Sequence, residues 1–168
     1  MEVTAEQVKA LRERTGAGIM DCRRALVDAE GDLGRAEKLL AERGIERAEK
    51  KTSREARQGL IEAYIHAGGR VAALVELNCE TDFVARNPQF RELAHEIAMQ
   101  VAAMNPSRVA AEPSDGNEGA DGEGTPLLDQ AYIRDSSKTI RDLIKQNIAA
   151  FGENIVIRRF ARFELGGE

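Results

Sequence analysis

The histidines and cysteines are the first residues to consider for a thiol nucleophile or a zinc site. His66 and His95 are the two histidines of the 168-residue chain, and Cys22 and Cys79 are its two cysteines. A nucleophilic thiol needs a base beside it, and the sequence offers one such pairing, Cys79 with His66 across a predicted hairpin. The favoured interpretation is a lone buried thiol at the end of a strand and a histidine on a strand face.

Metal, nucleotide and phosphate sites are not predicted either. No HxxxH or CxxC spacing occurs, so a zinc site is not expected. The glycines of GAG at 16–18 follow a helix and lack the third glycine of a dinucleotide loop, and no GxxxxGK[ST] loop exists. The stretch DGNEGADGEG resembles a calcium loop but has Gly119 at a ligand position and no final bidentate glutamate. We therefore expect no catalytic residue, no bound metal and no cofactor.

The residue that remains unexplained is Phe83, in the polar segment NCETDFVARN at 78–87. The chain has only five Phe, two Tyr and no Trp, and this ring follows a strand-like run where a polar turn is expected. Two interpretations are open. The ring folds back onto the helix that contains Phe90, as most aromatic side chains do. Alternatively, it is a wedge that enters a groove on another protein, with Asp82 beside it.

Met20 raises the same question at the beginning of a predicted helix. Ile19, Cys22 and Leu26 recur at helical spacing and are expected to form the inner face of that helix. Met20 then points elsewhere, and an exposed methionine is an adaptable contact for a partner.

Composition and charge limit the partners. Hydrophobic residues make up 42% of the chain and charged residues 32%, which is typical of a globular protein. The net charge of −5 argues against nucleic acid or an anionic membrane as the primary partner, because phosphate binding needs a basic surface. No signal peptide and no apolar run of about 18 residues are visible. We therefore expect free thiols, no membrane span and a cytoplasmic location.

The first 58 residues are predicted to be helical. Apolar spacing indicates three helices between residues 4 and 44, with Thr4 and Asp32 as N-caps and Gly44 as the C-terminal stop. Three short helices bury too little to enclose a substrate, so this part is expected to be a docking module. The polar stretch 45–58 is predicted to be a solvated helical connector.

From Gly59 onward the apolar period changes to two. Two alternating runs flank Gly68-Gly69 and predict a β-hairpin. An amphipathic helix is then expected to begin at Asn87 and to end at Asn105.

A linker and a second helix complete the predicted fold. The Gly- and acid-rich segment 107–125 is expected to be a flexible linker. A second helix is expected to be capped by Ser136 or Ser137 and to end at Gly152, before a last strand. The fold class is therefore α+β, with a small antiparallel sheet packed on helices over 59–168.

Three long segments resemble bacterial elongation factor Ts in its short form. LRERTGAGIMDCRRAL at 11–26 is similar to the N-terminal signature of that family, and NCETDFVARN at 78–87 to its central one. SSKTIRDLIKQNIAAFGENIVIRRFARFELG at 136–166 is similar to its C-terminal end. The resemblance covers nearly the whole chain except 107–125, and each motif is too long to arise by chance.

The resemblance implies guanine nucleotide exchange on elongation factor Tu, the GTPase that carries aminoacyl-tRNA. Such a protein is not an enzyme, because exchange needs no bond chemistry. The resemblance also implies that residues 1–45 form a ubiquitin-associated-like module that docks on the nucleotide domain of the partner. A connector at 46–58 and an α+β core at 59–168 follow, and the core presents the TDFV turn.

The resemblance implies roles for individual residues as well. Asp82 and Phe83 are expected to push between two helices of the partner near its magnesium and phosphate site, displacing the groups that hold the ion. The partner-binding residues of the turn are Thr81, Asp82, Phe83 and Val84. The contacts of the N-terminal module are Arg12, Ile19 and Met20. A contact role for Ile19 conflicts with its expected place on the inner face.

One departure from the family concerns the oligomeric state. The linker at 107–125 stands where family members usually carry a further helical stretch. The resemblance implies that a second copy completes the core by pairing through its final strand, giving a homodimer and a 2:2 complex. Two alternative functions stay open: a passive tether that leaves the nucleotide affinity of its partner unchanged, and a thiol enzyme centred on Cys79.

Overall fold

The computed structural model describes residues 3–111 and 124–167, and the chain divides into two compact units. The first unit comprises Met1–Thr52 with Lys145–Gly152, and the second comprises Ser53–Ile144 with Glu153–Glu168. Helices and a small antiparallel sheet confirm the α+β class. The ubiquitin-associated-like character and the division at 45 and 58 stay predictions.

Three helices form most of the first unit: α1 (Ala5–Thr15), α2 (Ile19–Asp28) and α3 (Leu33–Glu49). A capping box begins α1, since the Thr4 hydroxyl accepts from the Gln7 amide and the Gln7 side chain accepts from the Thr4 amide. The three helices share a buried core made of Leu11, Cys22, Ala25, Leu26, Ala29 and Ala36.

The expected stop of α3 at Gly44 is wrong, because the helix continues to Glu49. A Cβ atom at Gly44 would lie 3.2 Å from the Cβ atom of Ala149, in the same unit. The glycine therefore permits close packing inside a helix instead of ending it. Residues 50–57 form no helix, so the predicted helical connector is helical only over its first residues.

A three-stranded antiparallel sheet is the centre of the second unit. It contains β1 (Gln58–Ile65) and β2 (Val71–Cys79), joined by the predicted hairpin. Gly68 and Gly69 both have positive φ, 89° and 66°, which explains why glycine occupies the turn.

One long helix covers the inner face of this sheet. A single helical turn, α4 (Asp82–Ala85), follows β2, and α5 (Pro88–Met104) then packs against β1 and β2. The predicted boundaries of the long helix are confirmed, because Asn87 caps its first turn and Asn105 ends it with φ 45°. Its apolar face is buried as expected, through Phe90, Leu93, Ala94, Ile97, Ala98 and Val101.

The rest of the chain adds short elements, a helix and the last strand. A 3₁₀ turn at Leu127–Asp129, β3 (Ala131–Tyr132) and β4 (Asp135–Thr139) precede α6 (Ile140–Phe151). The strand β5 (Ile155–Glu164) pairs with β2 and gives the sheet order β1-β2-β5.

The expected cap of α6 is wrong, because Ser136 and Ser137 belong to β4. Thr139 caps the helix: its hydroxyl accepts from the Asp142 amide at 3.2 Å, and the Asp142 carboxylate accepts from the Thr139 amide at 2.9 Å. Gly152 follows the helix with φ 75°, as expected for its end.

Backbone hydrogen bonds join the two sides of the 107–125 segment. The Leu127 amide donates to the Arg108 carbonyl at 2.8 Å, and the Leu128 amide donates to the Val109 carbonyl at 2.9 Å. Most of the predicted linker, residues 112–123, lies outside the described residues. None of the helices in the ranges 3–111 and 124–167 is both long and apolar enough to cross a membrane.

Candidate functional site

A groove on the first unit collects all three residues predicted for the N-terminal module. Arg12 on α1 and Ile19 and Met20 on α2 line it, in a volume of about 460 Å³. Both apolar side chains are more than half exposed, Ile19 at 56% and Met20 at 60%. The expectation that Ile19 lies on the inner face is therefore wrong, and the conflict with a contact role disappears. Further lining residues are Val3, Ala5, Val8, Lys9 and Arg23.

The orientation of α2 explains which side chains reach the groove. The Asp21 carboxylate accepts from the Arg47 guanidinium at 3.0 and 3.1 Å and from Arg24 at 2.7 Å, which ties α2 to α3. These charged hydrogen bonds, that of Arg47 first, hold the pKa of Asp21 below its usual range. Asp21 faces α3, so Ile19 and Met20 are left on the open side.

The rim of this groove is basic. Arg12 and Arg23 are exposed, and neither forms an ion pair with a carboxylate of the described residues. Apolar side chains between these exposed guanidinium groups suit a partner surface that combines apolar and acidic groups.

The second group of predicted residues forms one turn of helix in the second unit. Thr81 is the N-cap of α4, and its hydroxyl accepts from the Val84 amide at 3.4 Å. Successive helical residues point about 100° apart, so neighbours in this turn face different surroundings. Phe83 is 85% exposed, whereas Val84 is only 7% exposed. The interpretation in which the Phe83 ring folds back onto the Phe90 helix is therefore wrong.

Asp82 lies beside the exposed ring and is also accessible. Its carboxylate pairs with Arg86 at 3.0 Å, and both side chains are mostly exposed. An exposed pair of this kind stabilises by roughly 0–1 kcal/mol, so the carboxylate can change partner at little cost.

Residues far along the chain hold this turn in place. The Glu153 carboxylate accepts from the amides of Glu80 and Thr81 at 3.1 and 3.0 Å and from the Thr81 hydroxyl at 2.6 Å. In the opposite direction, the Glu80 carboxylate accepts from the Asn154 amide at 2.7 Å. The turn is thus joined to the beginning of β5 by two reciprocal clamps.

Cys79 does not have the setting of a nucleophile. Burial, followed by the nearby Glu153 carboxylate, raises the pKa of its thiol to about 11. The register pairs Gln58 with Cys79 at one end of the hairpin, whereas His66 follows Ile65 at the other end. The pairing of Cys79 with His66 is therefore wrong.

The two histidines have structural partners. His66 Nδ1 lies 3.0 Å from the Tyr64 hydroxyl, and His95 lies 3.5 Å from Glu62, which also pairs with Arg91. No group of three or more His, Cys, Asp or Glu side chains that could hold a metal ion occurs in the described part of the chain.

Several functional candidates were missed in the sequence. Arg23 is one helical turn after Ile19 and could have been found from that spacing. Glu153 and Asn154 could not be found this way, because more than seventy positions separate them from the turn that they hold.

Comparison with known proteins identifies the family of the chain. The family model described as "Elongation factor TS" matches residues 35–118 and 80–168. The chain is 50% identical to elongation factor Ts of Coprothermobacter proteolyticus over 196 aligned positions, which cover 99% of this chain and all of the relative.

Other relatives match at similar length. Elongation factor Ts of Caldanaerobacter subterraneus subsp. tengcongensis is 48% identical, with 98% of this chain and 97% of the relative covered. That of Herpetosiphon aurantiacus is 45% identical, with 99% of each covered. The chain therefore belongs to the elongation factor Ts family.

Proposed function

We propose that this protein is a guanine nucleotide exchange factor for elongation factor Tu in translation elongation, a cytoplasmic process. The observation that carries the proposal is the Phe83 ring, 85% exposed on a capped turn with the Asp82 carboxylate beside it. Burying such a ring in a pocket on the partner would be favourable by roughly 1.5–3 kcal/mol of transfer free energy. Membership of the family supports elongation factor Tu as that partner.

The wedge acts by differential binding. If Phe83 and Asp82 fit the partner only when the helices around its magnesium and phosphate site are displaced, the complex favours the nucleotide-free state. By reciprocity, the factor weakens GDP binding as strongly as GDP weakens binding of the factor. A coupling free energy of ~3 kcal/mol would weaken the affinity for GDP roughly 150-fold. Asp82 is free to take part because its pair with Arg86 is exposed.

The groove on the first unit supplies the docking contact in this proposal. Ile19 and Met20 offer apolar surface, and Arg12 offers a guanidinium at the rim. Thr81 and Val84 serve the wedge indirectly, since one caps the turn and the other is buried beneath it. No step requires a nucleophile, a general base or a cofactor, which agrees with the inert Cys79 thiol.

The first test is the rate of GDP release from elongation factor Tu, followed by stopped flow with a fluorescent GDP analogue. We expect Phe83→Ala to lower the stimulated rate on the order of a hundredfold, because hot-spot aromatics contribute roughly 2–4 kcal/mol. Binding of the variant to the partner should weaken far less, because the groove is intact. The control is Ile133→Ala, which truncates another exposed apolar side chain of the second unit. It should stimulate GDP release from elongation factor Tu as strongly as the wild type does.

The passive tether is the competing function, and the same experiment separates the two. A tether binds elongation factor Tu but leaves GDP release unchanged, with either the wild type or the variant. Stimulation that survives Phe83→Ala would keep the function and remove Phe83 from the mechanism.

We also propose that the protein pairs with a second copy through the outer face of its sheet, giving a 2:2 complex with the partner. Ile65, Leu74 and Phe163 are exposed on this face, and β5 contributes its last residues to it. Large apolar patches are rare on monomers, and a two-fold axis would bury the same patch on both copies. Ile61 extends the patch along β1.

A further inference from the structure

The helix that presents Phe83 cannot be stable on its own. α4 has four residues, and isolated helices shorter than about 12 residues are marginal in water. Its position must therefore come from bonds to the rest of the unit. The Val84 side chain is buried and packs beneath the turn. Hydrogen bonds to Glu80 and Thr81, which precede the turn, provide the other contacts.

The Glu153 carboxylate binds the two residues that precede α4. One oxygen accepts from Glu80 and Thr81, and the other accepts from the Thr81 hydroxyl. Because that hydroxyl gives its proton to Glu153, its lone pairs face the Val84 amide, and the cap is held in a single orientation.

The segment that carries Glu153 is itself fixed. The Asn154 backbone amide donates to Glu80, and its side-chain amide donates to the Arg54 carbonyl at 2.6 Å. Asn154 is buried, so these bonds are protected from water. The turn and the Glu153 segment therefore hold each other through opposite pairs of donors and acceptors.

We propose that Glu153 is a positioning residue for nucleotide exchange, since it presents the Phe83 wedge in its binding orientation before the partner arrives. This inference rests on the proposed exchange function. Glu153 is not required to touch the partner. Its effect is pre-organisation: without it, part of the binding free energy would be spent on ordering α4.

The test compares Glu153→Ala and Glu153→Gln in the GDP release assay, at increasing concentration of the factor. We expect Glu153→Ala to lower the saturating release rate on the order of tenfold. The half-saturating concentration should change much less, because docking uses the groove on the other unit. Glu153→Gln keeps an acceptor for the two amides and should recover most of the rate. Glu92→Ala, an exposed glutamate of α5, is the matched control and should behave as the wild type does.

A double-mutant cycle separates positioning from general destabilisation. If Glu153 acts through the wedge, Glu153→Ala should lower the rate little further once Phe83 is already alanine. If the double variant instead lowers the GDP release rate by the product of the two single-variant factors, the inference is overturned. A saturating rate for Glu153→Ala equal to that of the wild type would also overturn it.

Amide hydrogen exchange of the chain without elongation factor Tu tests the Glu153 contacts independently of the proposed exchange function. Glu153→Ala should speed amide exchange at Glu80 and Thr81, while the amides of α5 stay protected. If wild-type protein fails to stimulate GDP release, the exchange function fails, and the positioning role for exchange fails with it. Unchanged protection at Glu80 and Thr81 would overturn the clamp even where stimulation is normal.

Discussion

Adjacent residues in α4 have opposite environments, and this is the basis of the proposed function. Phe83 projects into solvent, whereas Val84 is buried, because a helical turn separates neighbouring side chains by about 100°. The buried valine anchors the turn to the second unit, and the exposed phenylalanine is the proposed contact with the partner. A change at either position should therefore affect exchange, but only a change at Val84 should also lower stability.

Cys79 leads to a prediction about pH. Its pKa is about 11 in the native chain, above the ~8.5 of an unperturbed thiol. Its contribution to stability is therefore complete below pH ~8.5 and is lost as the pH rises towards 11, because the unfolded thiol ionises first. The difference between ~8.5 and about 11 corresponds to a loss of about 3 kcal/mol in the free energy of unfolding.

Urea unfolding of the wild type and of Cys79→Ala, at a series of pH values from 7 to about 11, measures this difference. We expect the wild type to lose stability relative to the variant above pH ~8.5. Parallel profiles for the two proteins would show that the thiol is not desolvated. Cys79→Ala should keep its GDP exchange activity, in contrast to what the thiol-enzyme hypothesis requires.

Single residues were the least predictable part of the sequence. The rarity of aromatic residues identified Phe83, but its exposure could not be decided without the structure. Ile19 was assigned to the wrong face, because helical spacing does not define where a stripe of apolar residues ends. Glu153 has no local signature, since its role exists only through contacts with residues over seventy positions away.

The secondary-structure elements were more predictable, because many residues contribute to each pattern. α5 was predicted with both ends, and the hairpin with its two glycines, because periodicity and cap residues agree there. The errors occurred where one residue type has two uses. Gly44 is a typical helix stop, yet here it lies within α3, opposite Ala149.

The two glycines of α3 lead to a paired prediction. At Gly44, a Cβ atom would already be crowded at 3.2 Å from Ala149, so Gly44→Leu should destabilise by about 1–3 kcal/mol through overpacking. At Gly34, which is exposed in the same helix, alanine should stabilise by up to about 1 kcal/mol.

Urea unfolding of both variants provides the comparison, and far-ultraviolet circular dichroism checks that the helix is retained. If Gly44→Leu were as stable as the wild type, the close approach of Ala149 would not restrict that position.

At the scale of the whole molecule, the chain combines two proposed binding surfaces, the groove and the wedge. The groove and the wedge belong to different units, and both present apolar side chains beside charged ones. From the sequence, the net charge of −5 argued against nucleic acid or an anionic membrane as the primary partner, which left a protein partner as the expectation.

The proposed homodimer leads to a prediction at this scale. Phe163→Lys places a charge on the apolar sheet face, in the same cross-strand row as Ile65, and sedimentation equilibrium should then detect monomers. Ile133→Lys adds the same charge at an exposed apolar position outside the sheet and should leave the dimer intact. A wild-type protein that sediments as a monomer at tens of micromolar would contradict the proposal, and the patch would then need another partner.

The 107–125 segment offers an insertion point for a reporter, because backbone hydrogen bonds join the residues on its two sides. Because the Arg108 and Val109 carbonyls accept from the Leu127 and Leu128 amides, these residues on the two sides of 112–123 lie next to each other. The entropy of closing a loop grows only slowly with its length, so a fluorescent domain inserted there would put little strain on the core. Residues 3–52 would keep their sequence, and binding could be followed in a cell without labelling either proposed contact surface.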